Sequence, residues 1–101
     1  MDYNIMNYDT LVKRIRMYMS KFEGNYSDWY VGIAKDIDEE LFEKHKVDEN
    51  GIWISFGADT DEIAKKVEKY FLDKNCDGNP VKLEENIRII YAYKKNSKTV
   101  P

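Results

Sequence analysis

The stretch Trp29-Tyr30-Val31-Gly32-Ile33-Ala34-Lys35-Asp36 decides how this chain is read. Its first six residues are apolar or aromatic apart from the one glycine, the pattern of a strand buried on both faces and therefore central in its sheet. Gly32 marks either a bulge or a place where another group approaches the strand closely. Lys35-Asp36 leads at once into a charged segment that ends at His45. Asp36 or Asp38 is placed to cap a short helix through about Lys44, with Leu41, Phe42 and His45 on its inner side.

Working outward, Asp9 or Thr10 is placed to cap an upstream helix running to about Phe22. Leu11, Ile15, Tyr18, Met19 and Phe22 form its apolar stripe. Gly24-Asn25 ends it. Downstream, Asp48-Glu49-Asn50-Gly51 reads as a turn and Ile52 to Phe56 as a strand. Asp59 and Glu62 are spaced like a capping box and open the clearest helix, which runs to about Asp73 on Ile63, Ala64, Val67, Tyr70 and Phe71. A loop over Asn75 to Pro80 holds Cys76-Asp77-Gly78. The last strand is Ile87 to Lys94, with Ile87, Ile89, Tyr91 and Tyr93 on one face. The expectation is an α/β (α+β) fold in the order α-β-α-β-α-β: a small three-stranded sheet flanked by about three helices. Residues 1–95 read as one domain and residues 96–101 as a flexible C-terminal tail.

A length of 101 residues suits a single domain. Eight Tyr, four Phe and two Trp supply the large side chains that so small a core needs, and also suit an interface. No apolar run approaches the ~20 residues of a membrane span. The opening Met1-Asp2-Tyr3-Asn4 lacks a secretory pattern, and a single cysteine makes no internal disulfide, so a cytoplasmic protein with no membrane partner is expected. Net charge is −3, which disfavours a general nucleic-acid binder. The charge is unevenly spread. Residues Lys35 to Asn50 hold seven acids against three bases, whereas Cys76 to Pro101 hold five bases against three acids.

The Tyr30-Val31-Gly32 strand, followed by a helix that ends in His45, resembles the second half of the signature of GIY-YIG nucleases. The segment Ala64-Lys65-Lys66-Val67-Glu68-Lys69-Tyr70-Phe71 is similar to the metal-binding helix of that family. The resemblance covers roughly Trp29 to Lys95. The family's first strand is absent upstream of Trp29, where a helix stands, and Ile89-Ile90-Tyr91-Ala92-Tyr93 is similar in character. The resemblance implies a phosphodiester chemistry in which Tyr30, with Tyr91 or Tyr93, positions the attacking water and His45 assists. Glu68 would hold one Mg²⁺ or Mn²⁺, an ion that favours oxygen ligands. Cations are needed there because the transition state spreads negative charge over phosphate oxygens.

Each of these residues also has a plain reading. Tyr30 fits a core aromatic, His45 a partly buried structural residue, and Glu68 a surface carboxylate between Lys65 and Lys69. By helical rotation, however, Glu68 falls at the margin of the apolar stripe. Glu40 stands where the family places an arginine, which swaps attraction for repulsion at a phosphate. Lys35 and Arg88 are the candidate replacements. The run Asn79-Pro80-Val81-Lys82-Leu83-Glu84-Glu85 lacks the glycines of a phosphate cradle.

One His and one Cys cannot build a zinc site, and no phosphate-binding P-loop or nucleophile elbow occurs. The resulting expectation is a catalytically degenerate GIY-YIG-like domain that requires no cofactor. It would be a phage or mobile-element accessory or inhibitory protein. Its acidic segment, with Gly32, Asp36, Glu39, Glu40 and Glu43, would bind a host protein, a nucleic-acid enzyme being the first candidate. The alternatives are an active Mg²⁺- or Mn²⁺-dependent DNA endonuclease and a nucleic-acid-binding domain without cleavage, using Arg14, Arg16, Lys94 and Lys95.

Overall fold

The structure, a computed structural model, describes residues 5–80 and 86–101. The chain runs through β1 (Ile5–Met6), α1 (Tyr8–Met19), a 3-10 turn (Tyr26–Asp28), β2 (Trp29–Ala34), a π-helix (Asp38–Lys44), β3 (Trp53–Ala58), α2 (Asp61–Asp73) and β4 (Ile89–Lys94). The α/β class and the order of the main elements are as the sequence indicates. The sheet order is β1-β3-β4-β2. Its body is antiparallel, with β4 between β2 and β3. Strand β2 is thus an edge strand and not the central one its apolar run suggests; it is buried on both faces all the same. The sheet gains a fourth strand, because β1 pairs in parallel with the end of β3 through Ile5↔Gly57 and Met6↔Ala58. Two residues carry no periodicity, so the sequence gives no sign of β1.

The helix starts differ from the expected caps for identifiable reasons. Asn7 caps α1, its side chain accepting from the Thr10 amide at 2.9 Å, two residues ahead of Asp9. Thr60 caps α2 by accepting from the Ile63 amide at 3.1 Å. Asp59 does not, because its own amide donates to the Met6 carbonyl at 3.0 Å and holds it at the end of the β1–β3 pairing. The charged helix begins at Asp38 with Ile37 at its cap position and no side-chain cap, and Asp36, one residue earlier, accepts from the Glu39 amide at 3.2 Å. That helix is wound wide, as the His45 amide donating five residues back to the Glu40 carbonyl at 3.0 Å shows.

The two faces of the sheet carry separate cores. On one, α1 and α2 pack Leu11, Ile15, Val67 and Phe71 over Val31, Ile33, Ile90 and Ala92. On the other, the π-helix and the turn after it set Leu41 and Val47 against Tyr30, Ala34, Tyr91 and Tyr93. Ile87 departs from the expected alternation. It joins the helix-side core, because β4 begins only at Ile89 and Asn86 turns the chain with a φ of 61°.

Two segments read as loops are tied down. The Asp77 amide donates to the Trp29 carbonyl at 2.8 Å and the Val31 amide to the Asp77 carbonyl at 2.9 Å, so Cys76-Asp77 covers the outer edge of β2. Cys76 is therefore buried rather than in an open polar loop. Residues 96–101, read as a flexible tail, fold back so that the Val100 amide donates to the His45 carbonyl at 2.7 Å. Residues 81–85, most of the run examined as a phosphate cradle, lie outside the described residues.

Candidate functional site: a tyrosine–histidine cluster under the π-helix

Strand alternation builds the site. In the β2–β4 ladder Tyr30 faces Tyr93 and Gly32 faces Tyr91, and all four point to the sheet face opposite α1 and α2. The π-helix brings Glu40 and His45 over them. The Tyr30 ring lies 4.5 Å from the His45 ring and stacks at 5.3 Å on Tyr93, with Tyr91 at 6.3 Å. Gly32 is needed for this closeness. A β-carbon there would lie 2.5 Å from the Tyr91 hydroxyl and 2.7 Å from its ring. The close approach that Gly32 permits is thus made by Tyr91.

The hydrogen bonds place a proton on one nitrogen of the imidazole. His45 Nδ1 lies 2.7 Å from the Val100 carbonyl, which only accepts, so Nδ1 carries a proton. Nε2 lies 2.9 Å from the Tyr91 hydroxyl, which is also within reach of Glu40 as a hydrogen-bond donor. The Tyr93 hydroxyl donates to Val100 at 3.3 Å and lies 3.2 Å from Nδ1. Glu40 closes the cluster: one oxygen is 3.4 Å from the Tyr91 hydroxyl and 3.8 Å from Nε2, and the other accepts from Lys44 at 3.1 Å. Both imidazole nitrogens are engaged within the protein.

The phenols are held protonated. Burial, and then the negative charges of Asp77, Glu40 and Glu68, push Tyr30 up to about 12. Burial foremost, with Tyr30 and Glu40 nearby, raises Tyr91 further, and burial with Tyr30 and Asp77 raises Tyr93. At neutral pH the three hydroxyls therefore donate and accept hydrogen bonds and do not serve as bases.

The other expected residues divide clearly. Glu68 is only 3% exposed, on the α2 face that carries Ala64, Val67 and Phe71, and its charge reaches Tyr30. The surface placement is thereby corrected: helical rotation turns Glu68 inward. Lys35, Asp36, Glu39 and Glu43 are exposed and stay outside the cluster. Arg88 is not brought to it either. Arg88 is exposed just ahead of β4, and its charge is felt by Asp61 at the start of α2. Among the described residues no group of three or more His, Cys, Asp or Glu side chains converges as a metal site. Three carboxylates act on Tyr30, Asp77 and Glu40 more strongly than Glu68, which lies on the helix that packs against the other sheet face.

Sequence reasoning missed Val100 and Asp77. Val100 joins the cluster through backbone atoms, which leave no residue-type signal. Asp77 lies in the Cys76-Asp77-Gly78 loop, and its carboxylate accepts from Lys95 at 3.3 Å. Comparison of the chain with models of known protein families, with characterised proteins and with solved structures gives no match.

Proposed function

We propose that this chain is a GIY-YIG-like domain whose nuclease site has become a closed structural cluster, and that it works as a binding or inhibitory accessory protein of the phage or mobile-element kind. The observation that carries this reading is the place of Glu40. Its carboxylate lies within 3.4 Å of the Tyr91 hydroxyl and 3.8 Å of His45, at the edge of the cluster, where phosphate chemistry calls for a cation. The engagement of both His45 nitrogens by Tyr91 and Val100 supports the same view.

The binding surface is the outside of the π-helix, where Asp36, Asp38, Glu39 and Glu43 are exposed together. Such a surface complements the basic groove of a nucleic-acid enzyme in the host, and charge complementarity of this kind sets partner choice and association rate. Partly buried Phe42 and Trp53, edge to face at 5.2 Å, add an aromatic anchor beside the acids.

The test has two arms. Supercoiled plasmid and single-stranded DNA are incubated with the protein in Mg²⁺, Mn²⁺ or EDTA, beside Glu68→Ala. The expected result is no metal-dependent cutting above the variant. Host proteins retained by the protein are then purified and titrated against Glu39→Gln/Glu43→Gln, which is expected to weaken binding. Unchanged affinity in that variant overturns the acidic-face reading.

One observation favours a second reading. Tyr30, Tyr91, Tyr93 and His45 meet in a single cluster, and buried Glu68 lies within charge range of Tyr30. This is the set an active Mg²⁺- or Mn²⁺-dependent endonuclease would use. Cutting that disappears in Glu68→Ala would establish it.

A further inference from the structure

We propose that the groove between α1, the α1–β2 connection and the C-terminal end of α2 is a docking site for an acidic amphipathic peptide segment of a partner protein. It lies on the helix-covered side of the sheet, away from the Tyr–His cluster and the acidic π-helix, and so does not rest on the reading given above. The groove holds about 1240 Å³. A small-molecule site spans roughly 300–1,000 Å³, so this one suits a stretch of polypeptide.

Its lining mixes aromatic and aliphatic side chains with polar ones and carries a basic rim. Half-buried Phe22 lines it, and Trp29, ring centroid 5.9 Å from Phe22 but only 2% exposed, backs it from the core. Met17 also lines the groove, with 57% of its surface exposed, one of two large apolar side chains so exposed among the described residues. An adaptable thioether in a groove with aromatic side chains is the surface that receives the apolar face of an amphipathic helix. Exposed Lys13, Arg16 and Lys74 border this strip against the single acid Asp9. Acids flanking the apolar anchors of a peptide would meet these three cations.

A nucleic-acid strand fits less well. The chain carries a net charge of −3, and three cations offset few phosphates of a polyanion that bears one charge per nucleotide. A base would stack on Tyr70, but the Lys74 ammonium already lies over that ring at 5.4 Å.

The test begins with a random peptide library displayed on phage and selected on the immobilised full-length chain. Selected peptides are expected to carry Asp or Glu interleaved with aromatic or aliphatic residues at helical spacing. By fluorescence anisotropy, the best peptide should bind Arg16→Glu/Lys74→Glu and Met17→Asp about tenfold more weakly or worse. It should bind Glu39→Gln/Glu43→Gln as it binds the unaltered protein, which separates this site from the acidic face. All substituted side chains are exposed, and circular dichroism checks that each variant is folded. The proposal is overturned if no peptide is enriched, if those enriched are neutral or basic, or if the groove variants bind equally well. Tighter binding of oligothymidine than of the best peptide, lost in Arg16→Glu/Lys74→Glu, would overturn it in favour of single-stranded nucleic acid.

Discussion

Gly32 makes room for Tyr91. The two residues face each other across the β2–β4 ladder, and the Tyr91 hydroxyl lies 2.5 Å from the position a β-carbon on Gly32 would take. The ring cannot simply swing aside, because Tyr91 is 1% exposed and its hydroxyl is bonded to His45. Gly32→Ala is therefore expected to destabilise the fold by about 1–3 kcal/mol, the usual cost of forcing extra volume into a packed core. A denaturant titration reads this directly. If the cause is the clash, Gly32→Ala combined with Tyr91→Leu will lose less than the sum of the two single changes.

His45 joins three parts of the chain that are distant in sequence: the π-helix, β4 and the C-terminal residues. Its ring bonds Tyr91 and Val100, and its carbonyl accepts from the Val100 amide. His45→Ala leaves buried hydroxyl and carbonyl groups without the imidazole, at an expected cost of about 2–3 kcal/mol. A merely local loss would spare the C-terminal residues. Here the Val100 amide should also exchange its hydrogen faster, as judged by hydrogen-exchange spectroscopy, because the ring no longer holds the Val100 carbonyl.

Much of this architecture is legible in the chain, and the parts that are not have a common cause. Helix α2 and the inward turn of Glu68 follow from 3.6-residue periodicity. The shared face of Tyr91 and Tyr93 follows from strand alternation, which a short burst of β-branched and aromatic residues makes plain. Alternation alone thus puts Tyr91 and Tyr93 on one face, whereas Tyr30 and His45 were singled out only through the resemblance to a family signature. What stayed hidden depends on backbone contacts between distant segments. Asp59 yields its cap role to Thr60 because Met6 claims its amide. Cys76 is buried because Asp77 pairs with β2. Val100 closes over His45 through its carbonyl and amide. The type of the second helix was hidden too, since an i→i+5 ladder uses the same residues as an α-helix.

Cys76 offers a check on the edge pairing of β2. The thiol is 7% exposed, and burial pushes its pKa up to about 12, against a smaller opposing effect from Lys95. The nucleophile in thiol chemistry is the thiolate, so the native protein should react slowly with a chromogenic disulfide reagent at neutral pH. Full reactivity should return in denaturant. Asp77→Pro removes the amide that donates to Trp29, and should raise the native rate without global unfolding.

The buried tyrosines make the fold sensitive to alkali in a defined direction. A free tyrosine titrates near pH ~10. Burial, followed by Asp77, Glu40 and Glu68, holds Tyr30 at about 12, and burial raises Tyr91 and Tyr93 as well. The folded state keeps these protons longer than the unfolded state does. Their contribution to stability is thus fully present below the unfolded value and falls as pH rises through the folded one. Urea midpoints should be insensitive to these groups below pH ~10 and decline from there toward pH ~12. Tyr30, Tyr91 and Tyr93 should give their phenolate absorbance late, above the pH ~10 at which a free tyrosine ionises. Replacing Tyr30 by Phe removes one of these late groups while keeping the ring that stacks on Tyr93 and His45. The decline should then become shallower, and an unchanged slope would show that the alkaline loss arises elsewhere in the chain.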